Sequence, residues 1–210
     1  MKIKLCGMRR PEDIRYANQV LPDYVGFILA KGFRRSISHE EARALKAELD
    51  PRIRAVGVFV DDPLEEIISL LEEGVIDMAQ LHGQESEEDI VYLKAVTGKP
   101  VIKTVKAENR YIVGAWLDTA ADYLLFDSGT GSGKTFDWDI LEDIGRDFFL
   151  AGGLTPKNLS EAAGRVHPYG VDLSSGTETE GMKDPEKMRR AVEIVRMISD
   201  ERTSDPQSSD

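Results

Sequence analysis

An α/β fold of the single (β/α)8 TIM-barrel type is what this sequence predicts, on three observations. Short β-branched or apolar runs alternate with longer amphipathic stretches along the chain, and eight such runs can be counted. The 210 residues that carry them sit at the compact end of barrel sizes, which are usually about 250 and bottom out near 200. This rhythm marks βαβ units and a parallel sheet. A doubly wound open sheet shares it, because periodicity alone does not show closure.

In chain order, the first strand is expected over Ile3–Cys6, and Pro11-Glu12-Asp13 opens a helix with proline where its missing N–H costs nothing. A second strand, Tyr24–Leu29, precedes Ser38-His39-Glu40-Glu41, a capping-box pattern. The third, Arg54–Val60, leads to a helix start at Asp62-Pro63, and the fourth, Met78–Leu81, to one at Ser86-Glu87-Glu88-Asp89. Val101–Val105 and Tyr123–Phe126 follow as the fifth and sixth strands. Phe148–Ala151 runs toward a helix start at Thr155-Pro156, and Gly170–Leu173 toward one at Asp184-Pro185. One catalytic domain is thus expected over residues 1–199. Residues 200–210, rich in Ser and Asp without an apolar period, are expected to be a disordered tail.

Composition narrows the function. No apolar run approaches the roughly 20 residues needed to cross a bilayer, and no targeting signal is visible. Thirty-eight acidic against 27 basic residues give a net charge of −11, which opposes adsorption to nucleic acid or anionic membrane. An anionic substrate would need a local cationic or backbone N–H site. The lone cysteine, Cys6, excludes an intrachain disulfide and a cysteine-based zinc cluster, and fits a reducing cytoplasm.

A barrel places its catalytic groups where strands end and βα-loops begin. Cys6 ends the first strand beside Gly7, so its thiol is a candidate base or nucleophile; a small buried hydrophobe is the plainer alternative. Asp127 ends the sixth strand, as a proton donor or as a loop-start aspartate bonded to nearby backbone. Gly152-Gly153 after the seventh strand and Ser174-Ser175-Gly176 after the eighth fall where barrels commonly bind phosphate. Arg34-Arg35 in the second βα-loop suits a carboxylate or an aromatic ring; His82, just after the fourth strand, is a proton-transfer or hydrogen-bonding candidate, and Asp172 lies near the end of the eighth. The three histidines, His39, His82 and His167, lie in different loops, so no metal site is expected.

Residues 128–135, Ser-Gly-Thr-Gly-Ser-Gly-Lys-Thr, imitate a nucleotide P-loop. That pattern needs glycine where Ser128 stands, and Phe136-Asp137-Trp138 follows in place of a long helix. A glycine-rich flap carrying Lys134 over the mouth is the better reading, beside a plain solvated loop.

Several strings together resemble the phosphoribosylanthranilate isomerase family: Lys4-Leu5-Cys6-Gly7-Met8, Val56-Gly57-Val58-Phe59-Val60, Gln80-Leu81-His82-Gly83 and Phe126-Asp127. Gly131 through Trp138, Ala151-Gly152-Gly153-Leu154 and Val171 through Gly176 continue the order, so that the resemblance spans roughly Lys2 to Ile198. It implies the Amadori rearrangement of N-(5′-phosphoribosyl)anthranilate in tryptophan biosynthesis, with Asp127 as acid and Cys6 as base. It further implies that Arg35 meets the anthranilate carboxylate, that His82 and Asp172 bind substrate, and that Gly152, Gly153, Ser175 and Gly176 hold the phosphate. No cofactor is required, since the substrate's imine nitrogen is the electron sink. Met8-Arg9 and Ser36 depart from the family's usual residues.

The expected partner is therefore this phosphorylated small molecule, bound by a monomer or homodimer, with neither nucleic acid nor membrane involved. Other barrel enzymes, such as a pentulose-phosphate epimerase or indole-glycerol-phosphate synthase, would need converging metal ligands or a catalytic lysine and glutamate. A silent phosphate-ligand binding protein would have no need of Cys6 and Asp127.

Overall fold

The computed structural model describes residues 1–128 and 137–204. Eight parallel strands close on themselves in chain order. They are β1 (Lys2–Cys6), β2 (Tyr24–Ile28), β3 (Arg54–Phe59), β4 (Met78–Leu81), β5 (Val101–Lys106), β6 (Tyr123–Asp127), β7 (Phe148–Leu150) and β8 (Gly170–Leu173). The seam that closes the barrel pairs β1 with β8, from Lys2 opposite Gly170 to Leu5 opposite Leu173. An open sheet would leave those two edges unpaired, so the seam decides between the two architectures.

The two-residue period of each strand sorts its side chains. On β1, Ile3 and Leu5 join the apolar layer beneath the helices, while Lys4 and Cys6 turn into the lumen. Tyr24, Val56, Met78, Ile102, Leu125 and Phe149 fill the lumen, with Phe149 meeting the rings of Tyr24 and Tyr123 edge-on at 5.6 Å. This apolar plug leaves the C-terminal mouth as the open end.

Around the barrel lie α1 (Pro11–Val20), α2 (His39–Glu48), α3 (Leu64–Glu72), α4 (Glu87–Thr97), α5 (Arg110–Gly114), α6 (Leu159–Val166) and α7 (Pro185–Ser204). The expected capping boxes form. Ser38 Oγ accepts the Glu41 N–H at 3.1 Å while Glu41 accepts the Ser38 N–H at 2.7 Å, and Ser86 and Asp89 repeat the exchange. Asp13 accepts the backbone N–H groups of Arg9 and Arg10 at the start of α1.

Four features depart from the sequence reading. α6 starts at Leu159, after a turn in which Asn158 accepts the Thr155 N–H and donates to the Gly153 carbonyl. Among the described residues, the chain after β6 has only a 3-10 turn, Trp138–Leu141, before β7. An antiparallel hairpin, β9 (Glu178–Thr179) with β10 (Met182–Lys183), follows a 3-10 turn over Ser175–Thr177. Finally, α7 runs through Ser204, into the stretch read from sequence as a tail from Asp200. Its buried residues Met188, Ala191, Val192 and Val195 pay for nucleation, after which polar residues extend a helix at little cost. The rest of the expected tail, 205–210, and all but Ser128 of the flap read over 128–135 lie outside the described residues. No described helix is long and apolar enough to cross a membrane.

Candidate active site

Cys6 lies at the mouth end of β1, 7% exposed, on the wall of a cavity of about 560 Å³. Gly26 on the neighbouring strand makes room for it, since a Cβ there would stand 2.6 Å from the Cys6 sulfur. Two residues earlier on the same face, fully buried Lys4 donates to Asp172 Oδ2 across the seam at 2.9 Å. The other Asp172 oxygen is buried on the cavity wall with no hydrogen-bond partner among the described residues. An open buried acceptor of this kind costs free energy until a ligand donor satisfies it. Burial pushes the Cys6 thiol above its ordinary range, against the cationic pull of Lys4 and Lys183. Burial alone would lower Lys4, but the Asp172 carboxylate and the neighbouring thiol raise it, so the ammonium stays charged.

Asp127 ends β6 on the same cavity, its Oδ1 accepting the Ser128 hydroxyl at 3.3 Å. Gly152 is the residue that lets β7 pass it: a Cβ there would lie 2.9 Å from Asp127 Oδ1 and 2.8 Å from the Ser128 nitrogen. His82 Nε2 stands 3.8 Å from Asp127 Oδ2. Burial lowers the His82 pKa more than the Asp127 charge raises it, which keeps the ring neutral at pH 7. Gln80, buried one pleat below, sits 3.3 Å from His82 Nδ1 and donates to Thr104 Oγ1 at 3.1 Å. The Gln80 side-chain oxygen, Oε1, is a second buried acceptor with no partner among the described residues.

Arg35 reaches the cavity from the loop after β2, its stem crossing Gly7 where a Cβ would stand 2.6 Å from Arg35 Cδ. Its guanidinium forks onto Glu178 of β9, Nε to Oε1 at 2.6 Å and Nη2 to Oε2 at 3.0 Å. Arg34 turns away to Glu178 and to the Gly181 carbonyl, so of the two arginines only Arg35 lines the cavity. Half-exposed Phe33 stands beside it on the rim.

At the seventh and eighth loops, Gly152 and Gly153 hold φ of 82° and 67°, and both line the cavity with Ser175. Positive φ without a Cβ lets this backbone turn tightly and come close to a ligand, so that its N–H groups are within reach of an anion. Gly176 lies behind them: its Cα hydrogen occupies a place where a Cβ would collide with the Leu154 carbonyl oxygen. It brings the two loops together without lining the cavity itself.

Among the described residues, no three of His, Cys, Asp and Glu converge as metal ligands would. The cavity thus offers a thiol beside cations, a carboxyl beside a neutral imidazole, an arginine, and a glycine-rich corner.

The family model for N-(5′-phosphoribosyl)anthranilate (PRA) isomerase matches residues 3–194. The chain belongs to the phosphoribosylanthranilate isomerase family. The N-(5′-phosphoribosyl)anthranilate isomerase of Endomicrobium trichonymphae is 45% identical over 202 residues, covering 94% of this chain and 99% of the relative. The crystal structure of phosphoribosyl anthranilate isomerase from Thermus thermophilus superposes with a TM-score of 0.84 at 38% identity, over 94% of this chain and 100% of that one. A third match, at TM-score 0.84 and 31% identity, covers 94% and 99% of the two chains. It is a phosphoribosyl anthranilate isomerase in complex with reduced 1-(o-carboxyphenylamino)-1-deoxyribulose 5-phosphate. The activity that follows is the isomerisation of phosphoribosylanthranilate in tryptophan biosynthesis.

Within this chain, the strand-end rule brings Cys6, Asp127, Arg35, His82, Asp172, Gly152, Gly153 and Ser175 to one cavity. It left out Lys4, Gln80, Thr104, Glu178 and Lys183. Lys4 carried a readable signal: a charge two residues before Cys6, and so on the same inward face, between the apolar Ile3 and Leu5 of the opposite face. Glu178 carried none, because its partner Arg35 lies 143 residues away.

Proposed function

We propose that Cys6 is the base and Asp127 the acid with which this chain converts N-(5′-phosphoribosyl)anthranilate to 1-(2-carboxyphenylamino)-1-deoxyribulose 5-phosphate. The observation that carries the reading is their placement at the ends of β1 and β6 on the wall of one cavity of about 560 Å³. Asp127 gives its proton to the ribose ring oxygen, which becomes a hydroxyl as the furanose opens to a Schiff base. Cys6, ionised with the help of the Lys4 and Lys183 charges against the burial that raises it, then takes the C2′ proton, and the released electron pair moves into the imine nitrogen to give an enolamine. Tautomerisation of the enolamine moves a proton to C1′ and leaves the C2′ ketone. Each correctly placed proton-transfer group supplies about 10²–10⁴-fold.

The remaining residues bind. Gly152, Gly153 and Ser175 take the phosphate, and Gly176 holds their two loops together. Arg35 takes the anthranilate carboxylate. The open Asp172 oxygen accepts a substrate hydroxyl or amine N–H, and His82, held neutral, hydrogen-bonds beside Asp127. A base that must remain a thiol suits a reducing compartment, in keeping with a cytoplasmic enzyme.

The test is an isomerase assay on freshly generated phosphoribosylanthranilate, followed by loss of substrate fluorescence and repeated in EDTA. Turnover unchanged by the chelator is expected. No turnover, or turnover abolished by EDTA and restored by one divalent ion, would overturn the reading.

A further inference from the structure

We infer that Glu178 is a positioning residue that presents Arg35 to the substrate's ring carboxylate, and so sets the enzyme's preference for a carboxylated aromatic amine. The inference rests on the reading of Arg35 given above.

Glu178 is the first residue of β9, and its side chain is only 5% exposed. Each of its oxygens takes two cationic donors. Oε1 accepts Arg35 Nε at 2.6 Å and Lys183 Nζ at 3.3 Å, and Oε2 accepts Arg35 Nη2 at 3.0 Å and Arg34 Nη2 at 2.9 Å. Burial would raise this carboxyl, but the Arg35 hydrogen bond and the charge of Lys183 outweigh it and hold it near a pKa of about 2. The carboxylate is therefore ionised at any pH where the enzyme works.

It is also fixed in place. Lys183 is anchored on the Ser174 carbonyl at 2.8 Å, and the hairpin turn is tied at the Gly181 carbonyl by Arg9 at 3.1 Å and Arg34 at 3.2 Å. A rigid carboxylate forked onto Nε and Nη2 sets the plane of the Arg35 guanidinium. Nη1 is left with no hydrogen-bond partner among the described residues, on a side chain that lines the cavity. A second carboxylate can then approach the free end of a guanidinium that has already given up its rotamer freedom. Two guanidinium cations, Arg34 and Arg35, meet one carboxylate here, beside a Lys183 amine that burial pulls below its ordinary range, so Glu178 orients the site without neutralising it.

The experiment compares two ligands by calorimetry, the reduced product analogue and its phenyl counterpart lacking the carboxylate, on wild type and on Arg35→Met, Arg35→Lys, Arg34→Met and Glu178→Gln. Arg35→Met should weaken the carboxylated ligand about 10- to 100-fold and spare the phenyl ligand. Glu178→Gln should do the same by about 10-fold, raising KM with kcat at saturation unchanged. Arg34→Met removes one Glu178 contact but leaves the Arg35 fork, the Arg9 tie to Gly181 and the Lys183 anchor, so it should preserve the preference. Arg35→Lys leaves Glu178 intact and keeps the charge but loses the fork, so it should abolish the preference; this arm stands even if Glu178→Gln fails to fold. If Glu178→Gln tightens the carboxylated ligand, Glu178 competes with substrate and the inference is wrong. Equal weakening of both ligands marks a purely structural clamp, and a preference retained in Arg35→Lys shows that the fork is not needed; either result overturns the inference. A preference untouched in Arg35→Met would instead remove the role of Arg35 itself.

Discussion

Lys4 and Cys6 occupy successive lumen positions of β1, and the chemistry of each depends on the other's surroundings. Burial dominates at the thiol, so Cys6 in the free enzyme ionises above its ordinary value of 9.0. Alkylation by iodoacetamide should be slow at pH 7 and still climbing beyond pH 9; a rate that levels off below pH 8 would mean that the lysines outweigh burial. Cys6→Ser keeps the volume that Gly26 allows and Asp127→Asn keeps the shape beside Gly152. Each should therefore lower kcat by at least ~10²-fold with thermal unfolding and analogue binding nearly unchanged. Near wild-type turnover in a folded variant removes the role assigned to that residue. Lys4→Met is different in kind, because it strands the buried Asp172 carboxylate, at a cost of about 3–5 kcal/mol in urea unfolding at pH 7. The sign follows from linkage. Lys4 is raised above 10.5 in the fold, so its contribution is complete below that pH and is lost as pH climbs through the folded value.

Elements announce themselves through local chemistry and hide when they have none. Ser38-Glu41 and Ser86-Asp89 named the starts of α2 and α4 because a capping box is a contact between residues three apart. Ser38→Ala should cost about 1 kcal/mol in denaturant unfolding and leave kcat alone; no measurable loss would show that packing, not the cap, fixes that helix start. The five-residue α5 and the two-residue strands β9 and β10 are too short to show a period, and they were not legible. The turn of residues 155–158 delayed α6 through a side-chain bond to the Gly153 backbone, which no helix-start pattern encodes. Gly176 was legible as a glycine in the right loop, but its work is steric. Gly176→Ala places a methyl on the Leu154 carbonyl, so the two loops must part. Affinity for the phosphate-bearing analogue should fall with little change in affinity for a dephosphorylated one, by titration of both ligands. Equal losses would mean that the whole mouth had rearranged.

For the whole molecule, strand rhythm foretold eight strands, but closure rests on one seam, β1 against β8, formed by residues about 168 apart in sequence. The same seam sets Lys4 against Asp172 and places the thiol strand next to the strand that leads into Ser174-Ser175-Gly176. Strand-end residues were legible for that reason, since any barrel gathers them at the mouth; their long-range partners were not. A chain of net charge −11 repels anions as a whole, so phosphate affinity must be local, exercised within a Debye length of about 8 Å at physiological salt. If the Gly152-Gly153 and Ser175 corner is that site, inorganic phosphate should raise the thermal midpoint saturably at constant ionic strength. At about 100 times its Kd the gain is ~2.7 kcal/mol, roughly 5–10 °C for a chain of this size. Phosphate and sulfate also stabilise proteins generally by exclusion from their surface, an effect that grows with concentration without saturating. The curve's shape therefore separates the two, and a crystal soaked in phosphate locates the ion. A midpoint that rises without saturation, with the corner empty in the soaked crystal, would leave the glycines as turn-formers and move the phosphate elsewhere in the mouth.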